Sequence, residues 1–127
     1  MDAIEAMGLH GPENVQFWSA LKDGRFLVRR CAACGEAHWY PRAVCPFCFS
    51  TDTRWEEGAG QGTIYSYTVM RRSKTPYAIA FVTLAEGPTM MTNIVDCEFD
   101  QIRIGQPVRL VVRQRPDGLP LPVFTPA

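Results

Sequence analysis

The sequence predicts a mainly β chain that opens with a helix, and three observations carry that prediction. Two C-x-x-C pairs, Cys31/Cys34 and Cys45/Cys48, stand ten residues apart. From about Gly58 onward, short runs rich in Val, Ile, Thr and Tyr alternate with Gly- and Pro-containing turns, a pattern of strands rather than helices. Helical periodicity is confined to ENVQFWSALKDG near the N-terminus. This punctuation divides the 127 residues into an arm and amphipathic helix over 1–24, a four-cysteine ribbon over 25–57 and a barrel over 58–127.

In the first segment Phe17, Trp18 and Leu21 recur at helical spacing, while Asn14, Lys22 and Asp23 lie elsewhere around the axis. Gly24 supplies the stop. A helix carrying Phe and Trp on one side must bury that side, either against the rest of this chain or in a partner subunit. The preceding MDAIEAMGLHGPEN reads as an irregular arm containing His10.

The second segment is governed by its thiols. Each C-x-x-C pair brings two thiolates within reach of one ion, and two pairs complete a tetrahedral site. Cys31, Cys34, Cys45 and Cys48 are therefore read as ligands of a structural zinc ion. All four ligands come from protein, which leaves no open position for water or substrate. An iron site uses the same ligands, and the sequence leaves that choice open. In CAACG, Gly35 lets the backbone turn back so that amides face the sulfurs. In CPFCF, Pro46 pre-bends the loop, but Phe49 holds the place a glycine usually takes. FLVRR and HWYPR, rich in aromatic and branched residues, are the short strands leading into the two knuckles.

Other readings of these thiols are weaker. Paired disulfides need an oxidising compartment, and the N-terminus has neither the basic nor the apolar region of a signal peptide. A thioredoxin-like pair needs a βαβ unit, which the pattern lacks. His38 lies between the pairs, where four cysteines already suffice. Cys97, the odd thiol, is expected as a small core residue. A module of this size cannot build its own core, so the metal supplies most of its folding free energy.

The third segment holds four or five strands. After the turn GAGQG come GTIYSYTVM, YAIAFVTLA, TMMTNIVDC and PVRLVVRQR, joined by EGP, IGQP and RPDGLP. Their number and size suit a small barrel such as the five-stranded OB-fold, with a short sandwich as the alternative. Closure would also protect apolar edges such as YAIAFVTL. Strict alternation would put Tyr65 and Tyr67 on one face, able to stack a base or to fill a core or an interface.

Composition narrows the function. Apolar content of 46% and charged content of 20% describe a globular chain, and no apolar run approaches the roughly 20 residues that cross a bilayer. The expected setting is the cytoplasm. Thirteen basic and thirteen acidic residues cancel, whereas nucleic-acid binders generally carry a basic surplus. No G-x-S-x-G, P-loop, G-x-G-x-x-G or H-E-x-x-H is present. Glu56, Glu57, Glu86 and Glu98 sit beside turns and read as solvated surface. The chain is therefore not expected to be an enzyme on its own.

Taken together, FWSALKDGRFLVRRCAACGEAHWYPRAVCPFC, GQGTIYSYTVM, YAIAFVTLAEGPTMMTNIV, IRIGQPVRLVV and LPLPVFTPA resemble a family that pairs a rubredoxin-like zinc ribbon with an OB-fold. The family is associated with acyl-CoA metabolism, and the similarity covers almost the whole chain from Phe17 onward. Phe49 departs from the glycine common after the last cysteine. The resemblance implies a non-catalytic companion of thiolase-like enzymes, aldolases or hydratases acting on CoA thioesters in lipid or steroid metabolism. It further implies that the helix and ribbon make contacts in such assemblies. On that footing Arg71, Arg72 and Lys74, in the MRRSKTPY connection, are candidates for meeting CoA phosphates or an acidic patch on the partner. The alternative from fold analogy is a module that binds single-stranded nucleic acid.

Overall fold

The computed structural model describes residues 3–127, and the fold is mainly β. Two short helices, α1 (Ala3–His10) and α2 (Val15–Lys22), flank a single 3-10 turn over Pro12–Asn14. α1 replaces most of the arm read from the sequence. Ala, Glu and Met favour helix, but Gly8 and the lack of a clear apolar stripe hide it. The His10 side chain and residues 1–2 lie outside the described residues. Eight strands follow: β1 (Leu27–Cys31), β2 (Ala37–His38), β3 (Thr53–Glu57), β4 (Gln61–Met70), β5 (Tyr77–Leu84), β6 (Thr89–Ile94), β7 (Pro107–Gln114) and β8 (Pro120–Pro126). They belong to two compact units, one running to Ala59 and including Val112–Leu121, the other Gly60–Val111 with Pro122–Ala127.

In the first unit α2 ends as its sequence foretold. Gly24 adopts φ 83°, its amide reaches the Leu21 carbonyl at 3.0 Å and the Arg25 amide reaches that of Ala20 at 2.9 Å. This is the paired closure that a left-handed residue permits. Phe17, Trp18, Ala20 and Leu21 are all buried, so the apolar side of α2 packs within its own chain rather than waiting for a partner. Phe17 meets Trp18, Phe26 and Trp39 edge-on, with ring centroids 5.1, 5.9 and 5.3 Å away. Edge-on geometry suits the aromatic quadrupoles. The ribbon sheet has the order β2-β1-β3, with both pairs antiparallel. Arg29 lies 4.5 Å over the Trp55 ring, and Arg30 grips Glu56 at 2.7 Å.

The second unit is built on a closed barrel of order β4-β5-β6-β8-β7. The partners β6 and β8 run parallel, with Ile94 opposite Phe124. The sandwich alternative is thereby excluded. Rows that carry the core follow from the register: Ile64–Val82–Met90, Tyr67–Ala80–Thr92 and Val69–Ala78–Ile94, with Tyr67 exposed at the β4 end of its row. Ile64, Val82, Met90, Ala78 and Ile94 are almost fully buried. The register slips between Ile64 and Ser66, so Tyr65 sits in a β-bulge. The alternation that would place Tyr65 and Tyr67 together is broken there. Tyr67 pairs with buried Ala80, while Ser66 pairs with Phe81.

Gly62 is fixed by packing rather than by φ. A Cβ there would lie 2.5 Å from the Val82 Cγ1 and 2.8 Å from the Thr83 carbonyl oxygen. Neither a stiff β-branched side chain nor a strand backbone can yield cheaply. Gly62→Ala is expected to destabilise the barrel by about 1–3 kcal/mol, read as a lower urea midpoint at unchanged slope. An unaltered midpoint would mean that this approach is looser than described.

Candidate metal centre

The two knuckles are built alike. In the first, the Cys31 amide donates to the Glu36 carbonyl and the Gly35 amide to the Cys31 carbonyl, each at 2.9 Å. In the second, Cys45 donates to Ser50 and Phe49 to Cys45, again at 2.9 Å. Amides also point at sulfur, from Cys34 to Cys31 Sγ at 3.5 Å and from Phe47 to Cys45 Sγ at 3.4 Å. Such bonds stabilise thiolate charge. Outer contacts hold each loop to the sheet. The Arg30 guanidinium donates to the Gly35 carbonyl at 2.7 Å. On the other side, Arg29 donates to the Thr53 hydroxyl at 3.1 Å, which donates to the Ala43 carbonyl at 2.7 Å.

The four ligand sulfurs converge. Those of Cys31, Cys34, Cys45 and Cys48 all lie within 4.8 Å of one another. Cys31 and Cys48 are 3.6 Å apart, and Cys34 and Cys45 are 3.7 Å apart. A tetrahedron with metal–sulfur bonds of about 2.3 Å has edges of about 3.8 Å, so the spacing fits one bound ion. It is far longer than a disulfide bond, and all five cysteines are free thiols. Cys31 and Cys45 are buried while Cys34 and Cys48 are exposed, so the centre has one sheltered side and one facing solvent.

Among themselves the thiols are unequal. The Cys34 amide, against opposing burial, draws Cys31 down to about 7. Cys34 is pushed up to about 12, because burial and the neighbouring sulfurs outweigh the pull of the Glu36 amide. Crowded thiols thus resist full ionisation unless a cation compensates them. His38 is not a ligand. It is 2% exposed, outside the sulfur cluster, and its Nε2 lies 3.3 Å from the Arg42 amide that donates to it. Burial outweighs the bond to the Arg42 carbonyl, which favours the protonated ring, and together with the charges of Arg29 and Arg42 it holds the pKa below the usual imidazole range.

Phe49 bears on the strain in the second knuckle. Gly35 has φ 80° and Phe49, at the equivalent turn, φ 64°. The left-handed region disfavours a Cβ by roughly 1–2 kcal/mol. Nothing in the sequence beyond the missing glycine announces this.

The other predicted residues belong to the second unit. Arg71, Arg72 and Lys74 are exposed in the β4–β5 connection, where Arg71 donates to the Asp100 carboxylate at 2.7 Å. Cys97 is only partly buried and not a core residue. It lines a hollow with Asp96, Glu98 and Gln106, where burial and then the two acids push its thiol upward.

Comparisons with known proteins agree with both halves of this description. Residues 18–54 match the model of the ChsH2 rubredoxin-like zinc ribbon domain, and residues 55–113 that of the ChsH2 C-terminal OB-fold domain. A protein of Thermomonospora curvata named "Probable enoyl-CoA hydratase alpha subunit" is 39% identical over 91% of this chain. The chain spans only 38% of that relative's length. A "DUF35 domain-containing scaffold protein" of Methanocaldococcus jannaschii is 33% identical, covering 82% of this chain and 80% of the relative. A solved structure titled "Ltp2-ChsH2(DUF35) aldolase" contains a chain 39% identical, with TM-score 0.77 over 90% of this chain and 94% of that one. A Sulfolobus solfataricus DUF35 protein of unknown function shares the fold at 18% identity and TM-score 0.70, covering 92% of this chain and 87% of its own.

Three substitutions test the centre. Cys31→Ser or Cys48→Ser should abolish stoichiometric metal and unfold the ribbon, while barrel resonances persist in NMR spectra. Metal retained at full occupancy by the Cys31/Cys48 double variant would overturn the four-thiolate assignment. Phe49→Gly releases strain of about 1–2 kcal/mol but adds unfolded-state entropy worth about 0.5–1 kcal/mol. The net expectation is a modest gain of about 0.5–1 kcal/mol in ribbon stability, measured by chelator-induced unfolding.

Proposed function

The chain belongs to the DUF35 family of zinc-ribbon and OB-fold proteins, and from that premise we propose that it is a non-catalytic scaffold subunit. Its partner in this reading is a thiolase-like, aldolase or hydratase enzyme acting on acyl-CoA in lipid or steroid metabolism, in the cytoplasm. The ion in its ribbon is structural zinc. Four thiolates suit zinc's preference for soft ligands and tetrahedral geometry. When bound, zinc would hold the two knuckles together and perform no reaction, since the protein fills all four positions.

The observation that carries the scaffold reading is the outward face of β4, β5 and β6. Its rows are Thr63–Thr83–Thr89, Ser66–Phe81–Met91, Thr68–Ile79–Asn93 and Met70–Tyr77. None of these side chains is charged. Met91 is 64% exposed, and Phe81, Met70 and Tyr77 are exposed as well. Single-strand nucleic-acid sites pair aromatic platforms with a cationic groove, and this face offers no cation. A contiguous uncharged face with large apolar residues suits a protein surface. Beyond Met70 the chain enters the loop of Arg71, Arg72 and Lys74, which supports contact with CoA phosphates at that end of the face. Among the described residues no helix is long and apolar enough to cross a membrane.

Affinity purification from native extract should recover an acyl-CoA enzyme of one of these classes in stable ratio. Phe81→Lys with Met91→Lys should weaken that complex at least about tenfold while leaving the fold intact. Recovery of nuclease-sensitive material with steep salt dependence would point to nucleic acid instead. Arg72→Glu with Lys74→Glu should lower the affinity of the assembled complex for CoA, and unchanged affinity would remove this loop from the CoA site.

A further inference from the structure

The second knuckle presents apolar surface that its own unit does not use. From Ala43 to Phe49 the sequence AVCPFCF has no Asp, Glu, Lys or Arg. Phe49 is 77% exposed, Phe47 62% and Val44 45%. Val44, Pro46 and Phe49 line a shallow hollow whose rim carries one acid, Glu13, and one base, Arg42. Phe49 holds the left-handed conformation that glycine fills in the first knuckle. A large side chain held against its own backbone preference, and left in solvent, serves neither the core nor the turn.

We propose that the Val44–Phe49 tip is an anchor that docks into an apolar pocket on a partner protein subunit, with Phe47 and Phe49 buried in the contact. The proposal rests on the scaffold reading above and names a contact for it. Charge selects the occupant. The tip has no basic side chain to meet nucleic-acid phosphates or anionic lipid headgroups, and Arg42 and Glu13 offset each other at its rim. A protein pocket needs no such cations. Phenylalanine brings a large apolar surface with few rotatable bonds, so little freedom is lost on docking. The knuckle's hydrogen bonds hold the tip in shape before it meets a partner. Glycine at position 49 would relax the turn and remove one of the two rings to be inserted.

The two roles of Phe49 predict effects of opposite sign, which makes the test decisive. The enzyme subunit that co-purifies with the wild-type chain is expressed alone. It is then titrated calorimetrically with full-length, metal-loaded wild-type, Phe49→Gly, Phe47→Ser and Phe49→Leu chains. Phe49→Gly is expected to raise the thermal midpoint yet weaken binding at least about 30-fold, the loss typical of a buried aromatic anchor. Phe47→Ser should weaken binding at unchanged metal content, and Phe49→Leu should keep most of the affinity. Unaltered affinity in both Phe49→Gly and Phe47→Ser overturns the anchor and leaves the scaffold reading standing. Absence of binding by the wild-type chain overturns both. Self-association of the wild-type chain that Phe49→Gly abolishes, seen in sedimentation, would make the occupant a second copy and defeat the proposal. Phe49-dependent binding to phosphatidylcholine vesicles would defeat it equally.

Discussion

Four sulfurs brought to one point set the geometry on which the ribbon depends. Its sheet has three strands, of two and five residues, little regular structure to set against the loops. Between them run two loops, Ala32–Glu36 and Trp39–Asp52, with little regular structure. The closing interaction must therefore come from the thiols and from the aromatic cluster under α2. Phe17, Phe26 and Trp39 bury the inner side of the unit, and the sulfurs fasten the outer. A bound divalent ion removes the mutual obstruction of crowded thiols, and its binding energy becomes folding energy. Gly35 and Phe49 then turn the chain at equivalent points, one without strain and the other with it.

The barrel solves a different problem by hydrogen bonding. Each strand finds two neighbours, so no long edge remains open. The β-bulge at Tyr65 resets the pleat, so that Ser66 pairs with Phe81 and Tyr67 with Ala80, although Tyr67 itself stays exposed. Without that extra residue the Phe81 row would pair with a bulky tyrosine and the core row with serine. The bulge thus keeps a filled interior, and it also smooths the outer face into a surface of Thr, Ser, Met and aromatic residues.

Much of this was legible from residue types, because the strongest signals are chemical. Two C-x-x-C pairs read as one site because thiolates at that spacing grip an ion, and the sulfurs do converge. Gly24 read as a helix stop, and its φ of 83° makes it one. The strands of the barrel read from β-branched runs between turns. What escaped depends on partners distant in sequence or on backbone shape. α1 has no stripe to announce it. The bulge at Tyr65 is set by the register with β5, so counting alternate residues failed there. Cys97 looked like a core residue by type, but Asp96 at φ 57° turns the chain at that point and leaves the thiol half-buried. Phe49 was visible as a missing glycine, but only the backbone reveals that it accepts glycine's conformation.

Charge explains why shape must carry the recognition. With thirteen cations and thirteen anions, the molecule projects no net field to steer a partner over long range. Ion pairs such as Arg71–Asp100 are exposed and contribute little, since solvent screens them. In the scaffold role proposed above, affinity then rests on desolvating apolar groups, and specificity rests on presenting them rigidly. A strained turn satisfies the second demand where a relaxed one would not. Phe49 is attached to a backbone pinned on one side by Cys48 and on the other by the Cys45–Ser50 hydrogen bond, so its ring is aimed rather than merely exposed. The strain that counts against the ribbon's own stability is of the same order as a single well-made contact, small enough for a partner's pocket to offset.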